Sequence, residues 1–278
     1  MNTNGASSGP ATRYLDQPEG RVAYEIQGDG PLVILVPGMG ELRSSYRFLA
    51  PALVQAGYRV ASTDLRGHGD SDTSFSSYGD IETASDVHAL ILQLGGPAVI
   101  VGNSLAAGAG VIVAAEHPDN VAALVLVAPF VRNPKANGVM LALFRAMMAP
   151  LWVARVWKAY MPTLYAGRKP VDFDEYRAAV FASLRRPASG KAFSQTTRQT
   201  DHTPAEAALP AVQAPVLVIM GDKDPDFPDP AAEAHWIGDT LHGDVVLVDD
   251  AGHYPHSQQP EITASAVVAF LESALHRA

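Results

Sequence analysis

One serine of the sequence stands where a serine can act as a nucleophile. The stretch Gly102-Asn103-Ser104-Leu105-Ala106 follows a short apolar run and opens a run of small residues, which predicts a strand and then a helix. On such a sharp turn a serine hydroxyl is exposed at the edge of the sheet. The small residues Gly102 and Ala106 let the backbones of strand and helix approach, although Ala106 stands where the pattern Gly-x-Ser-x-Gly has its second glycine. Ser104 is therefore the candidate nucleophile, and a serine that merely caps the helix is the alternative.

A serine at its ordinary pKa is a weak nucleophile and needs a neighbouring base. His253 lies in the stretch Ala251-Gly252-His253-Tyr254-Pro255, on a loop after the last predicted strand. His256, three residues further on, is the competing candidate. The sequence therefore predicts His253 as the base that takes the serine proton.

The base in turn needs a carboxylate that fixes its orientation and tautomer. Asp224 follows the apolar run Val216–Met220, and Asp222 and Asp226 are the alternatives in the same loop. Together with Glu233 these aspartates also resemble a calcium-binding loop, but Phe227 stands where that loop requires glycine. We therefore expect a catalytic triad of Ser104, Asp224 and His253 and no metal.

Short apolar runs alternate with helical patterns along most of the chain, which predicts a mostly parallel sheet with helices on both faces. A cap at Asp80 is expected for the second helix. The predicted strands are Val22–Ile26, Leu32–Val36, Tyr58–Thr63, Ala98–Val101, Val121–Val127, Val216–Met220 and Val245–Val248, and the predicted helices are Ser44–Gln55, Ile81–Leu94, Leu105–Glu116, Pro230–Leu241 and Glu261–His276.

The alternation stops after Phe130 and resumes near Pro215, so residues 131–208 are predicted to be an insertion between two strands. Residues 1–130 and 209–278 then form the core. From 131 to 170 the insertion holds seven basic residues and no acidic one, whereas the whole chain has a net charge of −9. Pro150 and Pro162 are expected to divide its first part into two short helices.

Composition excludes several classes of protein. The chain of 278 residues has no cysteine, so disulfides, thiolate metal sites and thiol nucleophiles are ruled out. The negative net charge argues against nucleic acid as the partner. The N-terminal residues are polar and do not resemble a secretion signal, so we expect a cytoplasmic protein.

The order Ser104, Asp224, His253, each after a predicted strand, makes the sequence resemble the α/β-hydrolase superfamily over nearly its whole length. The stretch 64–71, Asp-Leu-Arg-Gly-His-Gly-Asp-Ser, resembles a loop that follows an early strand in that family. Pro37-Gly38-Met39-Gly40 stands where relatives have His-Gly, with proline in place of histidine. The resemblance implies an oxyanion hole formed by the N–H groups of Met39 and Leu105.

The resemblance also implies that residues 131–208 form a helical cap between the sixth and seventh strands. Met147, Trp152 and Trp157 are then candidates for binding an apolar substrate, with the core of the cap itself as the alternative role. The basic charge of this segment suggests contact with an anionic membrane, although a solvated charged surface is the simpler interpretation.

The function expected from these residues is hydrolysis of small or medium carboxylic esters through an acyl-enzyme, without a cofactor. Lactonase, amidase, thioesterase, lipase, perhydrolase and lyase activities use the same parts, and so remain open. A receptor or signalling protein with slow or no turnover is the alternative outside enzymology.

Overall fold

A single eight-stranded sheet organises the protein. The computed structural model describes residues 10–134 and 138–275. The strand order is β1-β2-β4-β3-β5-β6-β7-β8; β1, β2 and β4 pair antiparallel, and every pairing from β4 to β8 is parallel. The strands are β1 Arg13–Gln17, β2 Gly20–Gln27, β3 Leu32–Val36, β4 Arg59–Thr63, β5 Ala98–Asn103, β6 Val121–Val127, β7 Val216–Gly221 and β8 Asp244–Val248.

Helices cover both faces of this sheet, and each face has its own buried apolar cluster. On one face α2, α3 and α9 pack on the strands, and on the other α1 and α11 do so. The bounds are α1 Leu49–Gln55, α2 Asp80–Leu94, α3 Leu105–Glu116, α9 Pro230–Leu241, α10 Pro255–Gln258 and α11 Pro260–Leu275. A parallel sheet buried on both faces is therefore observed, as the sequence predicted.

Between β6 and β7 the chain forms a group of helices with a third apolar cluster. They are α4 Gly138–Met147, α5 Val153–Leu164, α6 Phe173–Leu184, α7 Ser189–Gln199 and α8 Thr203–Ala208. Pro150 separates α4 from α5, but the expectation for Pro162 was wrong because it lies inside the last turn of α5. That residues 131–208 act as a cap stays a prediction.

Two further expectations from the sequence were wrong. Residues 44–55 do not form one helix, because a 3-10 turn at Arg43–Tyr46 precedes α1. Asp80 does not cap α2 but is its first residue, and its buried carboxylate lies 2.6 Å from Nδ1 of His202. In the ranges 10–134 and 138–275, no helix is long and apolar enough to cross a bilayer.

The close approach of β5 and α3 depends on Gly102. A Cβ at this position would lie 2.4 Å from the backbone oxygen of Ala106, which is too near for any carbon atom. We predict that Gly102→Ala lowers the free energy of unfolding by about 1–3 kcal/mol, because strand and helix must move apart. Urea unfolding would measure this loss.

Gly138→Ala is the matched control, because no atom of the described residues lies within 4 Å of a Cβ built there. Its free energy of unfolding should not fall, because alanine is favoured over glycine in a helix. Equal stability of the Gly102 and Gly138 variants would contradict the close approach of strand and helix.

Candidate active site

Ser104 occupies a strained turn between β5 and α3. Its φ of 58° and ψ of −124° lie in a region that residues with a side chain rarely adopt. Two hydrogen bonds hold the turn: the Ser104 N–H donates to the Val127 oxygen at 2.9 Å, and the Phe130 N–H donates to the Ser104 oxygen at 3.3 Å. The neighbouring strand β6 and its following loop therefore fix the serine backbone at the carboxyl edge of the sheet.

His253 and Asp224 meet at the same edge, on the loops after β8 and β7. Nδ1 of His253 lies 2.8 Å from Oδ2 of Asp224, and both side chains are buried. The other oxygen of Asp224 accepts a hydrogen bond from the Asp226 N–H at 3.0 Å. The arrangement fixes the histidine ring with its Nδ1 on the carboxylate, so Nε2 is the nitrogen left for other chemistry.

Asn103 connects the histidine loop to the serine turn. Its side-chain amide donates to the backbone oxygens of Val127 at 3.1 Å and His253 at 3.2 Å. The residue directly before Ser104 therefore holds the backbone of His253. Asp222 does not take part in this group, because its carboxylate accepts the Ala251 N–H at 3.2 Å.

A second carboxylate stands beside the histidine. Oδ2 of Asp226 lies 3.6 Å from Nδ1 of His253, and Oδ1 of Asp226 accepts a hydrogen bond from the Tyr160 hydroxyl at 3.1 Å. Tyr160 belongs to α5, so a helix between β6 and β7 directly contacts the loop of residues 222–226 after β7, which we call the acidic loop. Ligand atoms of Asp224, Asp226 and His253 lie within 4.8 Å of one another, but the hydrogen bonds above already use them.

These charges control the protonation of the histidine. Burial alone would lower the pKa of His253, but the charge and hydrogen bond of Asp224, together with the charges of Asp226 and Glu41, raise it to about 9. The imidazolium is thus stabilised strongly within the folded protein. His256, the competing base, is buried against the ring of Tyr46 at 4.6 Å, and burial lowers its pKa to about 3.

The loop after β3 packs directly against the serine. A Cβ at Gly38 would lie 3.0 Å from the Cβ of Ser104, so only glycine permits this contact without movement. Within the described residues, the backbone N–H groups of Met39 and Leu105 donate to no protein acceptor. Backbone N–H groups without a protein acceptor can stabilise an oxyanion, and that Met39 and Leu105 do so stays a prediction.

Trp157 of α5 packs on this loop. Its indole N–H donates to the Gly40 oxygen at 3.0 Å, and the ring fills the space where a Gly40 side chain would stand. Met147 and Trp152, the other two predicted substrate-binding residues, are instead 42% and 44% exposed. Met148 and Met161 of this region, which were not among the predicted substrate-binding residues, are buried.

Glu41 is a buried acid that the sequence analysis did not identify. Its carboxylate accepts a hydrogen bond from the Tyr176 hydroxyl at 2.6 Å, and its second oxygen has no partner among the described residues. Burial raises the pKa of Glu41 to about 7, although the hydrogen bond from Tyr176 opposes the rise. Its position two residues after Met39 was the only signal in the sequence, and that signal does not distinguish it from an ordinary loop residue.

Comparison with known proteins identifies the family of this chain. Residues 33–266 match the model of the alpha/beta hydrolase family. A 2-(acetamidomethylene)succinate hydrolase from Mesorhizobium japonicum is 30% identical over 270 residues, which cover 91% of this chain and 93% of that protein. A pimeloyl-acyl-carrier-protein methyl ester esterase from Neisseria meningitidis is 30% identical over 254 residues, covering 86% and 93%.

The fold also resembles solved structures. A thermophilic esterase from Thermogutta terrifontis superposes with a TM-score of 0.79 at 24% identity, over 95% of this chain and 99% of that one. The likeness at this identity concerns the fold alone. The match of residues 33–266 to the family model establishes that this protein belongs to the α/β-hydrolase family.

Proposed function

We propose that the chain is a serine hydrolase that cleaves carboxylic esters. Membership of the family and relatives that are hydrolases support the general class. The observation that carries the finer proposal is the buried His253–Asp224 pair, held by Asn103 beside the strained turn of Ser104. A nucleophile, a base and an orienting acid are the minimum set for acyl transfer from an ester.

In the proposed reaction the Ser104 hydroxyl attacks the ester carbonyl while His253 takes its proton. The negative oxygen that forms is stabilised by the N–H groups of Met39 and Leu105. His253 then gives the proton to the leaving alcohol, and Ser104 remains acylated. Water attacks the acyl-enzyme in the second half, again losing a proton to His253, and the free acid leaves. Asp224 stabilises the imidazolium throughout.

Methyl or other small alkyl esters of carboxylic acids are the substrates we propose to test first. One relative is named for cleaving a methyl ester and another for hydrolysing a succinate derivative, which supports derivatives of carboxylic acids as substrates. The buried aromatic side chains around Trp157 support an apolar region beside the site. Neither observation separates an esterase from a lactonase or amidase, so open-chain esters, lactones and amides should all be assayed.

Removing the nucleophile gives the primary prediction. Ser104→Ala should reduce kcat on p-nitrophenyl esters by roughly 10⁴–10⁶. Esters of increasing acyl length should be compared, with lactones and anilides in parallel. The matched control is Ser62→Ala, a buried serine of β4, which should keep kcat within about twofold.

Stoichiometric release of one p-nitrophenol per chain without turnover would overturn the enzyme proposal. That outcome would favour the receptor alternative.

The two aspartates of the acidic loop should differ strongly. Asp224→Asn is expected to lower kcat by about 10⁴, because an amide can hold His253 in the wrong tautomer. Asp222→Asn should have little effect, since Asp222 contacts the backbone of Ala251 rather than the imidazole. Steady-state kinetics of the two variants would test this, and a larger loss for Asp222→Asn would reassign the acid.

The pH profile tests the charges around the base. Because His253 must be neutral to accept a proton and its pKa is raised to about 9, kcat/KM should fall as the pH drops below about 9. Asp226→Asn removes a negative charge that favours the protonated form, so the acidic limb should move to lower pH. Activity at pH 7 should then be a larger fraction of the maximum.

Asp239→Asn, an exposed residue of α9, is the matched control and should leave the profile unchanged. An acidic limb that does not move in Asp226→Asn would contradict the role given to Asp226.

A further inference from the structure

The outward side of α4 carries a continuous row of exposed apolar side chains. Val139, Leu143 and Met147 are spaced four residues apart and so lie on one face of the helix. Leu151 follows in the turn before α5. Their exposed fractions are 80%, 61%, 42% and 83%. Single exposed apolar residues are ordinary, whereas a row of four on one short segment is a candidate for contact with an apolar partner.

Two small residues of the same helix, Ala142 and Ala146, are exposed as well. Trp152, next to Leu151, is 44% exposed. The indole N–H of Trp152 donates to the Ala146 oxygen at 3.1 Å, which fixes the ring beside the end of α4. We call the surface formed by Val139, Leu143, Met147, Leu151 and Trp152 the α4 face.

The segment of the chain that contains the α4 face is basic. Arg145, Arg155 and Lys158 are exposed, and in the described part of the chain no carboxylate pairs with any of them. No acidic residue occurs between positions 131 and 170, although the chain as a whole carries a charge of −9. An acidic protein with one basic region is oriented by an anionic surface so that this region approaches it first.

We propose that the α4 face docks on the surface of an anionic lipid bilayer. An amphipathic helix with apolar side chains on one side, basic residues beside them and a tryptophan at its edge binds in the interface of such a membrane. The apolar side chains enter the boundary between headgroups and acyl chains, while the positive charge of the segment attracts the chain to anionic headgroups. The proposal does not depend on the ester hydrolysis proposed above.

The size of the surface argues for lipid rather than a protein partner. A ten-residue helix is about 15 Å long and about 10 Å wide, so one side of it offers on the order of 150–300 Å². A stable protein interface needs about 800 Å² from each partner. Insertion into a bilayer has no such minimum, because every inserted side chain is surrounded by lipid.

Vesicle sedimentation with the full chain tests the proposal. The chain should sediment with vesicles of phosphatidylcholine and phosphatidylglycerol at low salt, and binding should fall sharply at high salt. Vesicles of phosphatidylcholine alone should bind at least about tenfold less. Trp152 supplies a second readout, because docking should shift tryptophan emission to shorter wavelength and reduce quenching by iodide.

Matched pairs of variants separate the α4 face from general surface effects. Leu143→Ser with Leu151→Ser should weaken the vesicle partition coefficient by roughly tenfold for each leucine. Ile81→Ser with Leu92→Ser, two residues of α2 that are each 59% exposed, should leave binding unchanged. Arg145→Gln with Arg155→Gln should abolish the preference for anionic vesicles, whereas Arg13→Gln with Arg198→Gln should not.

The proposal is overturned if the chain stays in solution with anionic vesicles at low salt. It is also overturned if the α4-face pair and the α2 pair of serine variants lose vesicle binding equally. Self-association that depends on Leu143 and Leu151, without vesicle binding, would identify a protein interface instead. Hydrolysis of a water-soluble ester by the Leu143 and Leu151 variant should match that of the natural chain. Loss of vesicle binding with retained turnover would thus distinguish this proposal from the enzymatic one.

Discussion

The strained backbone of Ser104 is the constraint on which the rest of the site depends. A residue with a side chain at φ 58° costs of order 1–3 kcal/mol, and it persists only if the surroundings leave no alternative. Here the surroundings are the central strands. Hydrogen bonds to Val127 and Phe130 fix the turn from β6, and Gly102 lets α3 begin immediately. The buried parallel sheet therefore provides the stability that keeps one serine in an unfavourable conformation at its edge.

A second constraint is the surplus of negative charge around one imidazole. Asp224 contacts His253, Asp226 lies 3.6 Å from it, and Glu41 acts on it from the loop after β3. In a buried site such charges are weakly screened, so they make the histidine a stronger base than it would be in water. His253 therefore accepts a proton readily, but a smaller fraction of its imidazole is neutral at pH 7.

The sequence predicted well those parts whose environment is uniform. The bounds of β3, α3 and β6 agreed with the structure to the residue, because strands buried on both faces and a helix of small residues leave a continuous pattern. The edge strand β1 was missed since its side chains are mostly exposed and polar. Asp80 was expected to cap α2, and nothing local to it reveals its distant partner His202.

The same distinction applies to the site. The contact between His253 and Asp224 could be predicted because each residue follows a strand whose end defines its position, and their catalytic roles stay predictions. Glu41 and the contact between Asp226 and Tyr160 could not, because each depends on packing between segments far apart in the sequence. Tertiary contact, rather than spacing, decides whether such an acid faces solvent or lies buried beside the base.

One helix contacts all three loops that form the candidate site. From α5, the Trp157 indole N–H donates to the Gly40 oxygen and the Tyr160 hydroxyl donates to Asp226, while the Leu164 oxygen accepts the His253 N–H at 2.8 Å. These three residues recur at intervals of three and four, so they share one face of α5. A displacement of α5 must therefore disturb the loops that follow β3, β7 and β8 together. Helix α5 is thus part of the structure that sets the geometry of the site. A contact that moves α5 would change the relative positions of these loops.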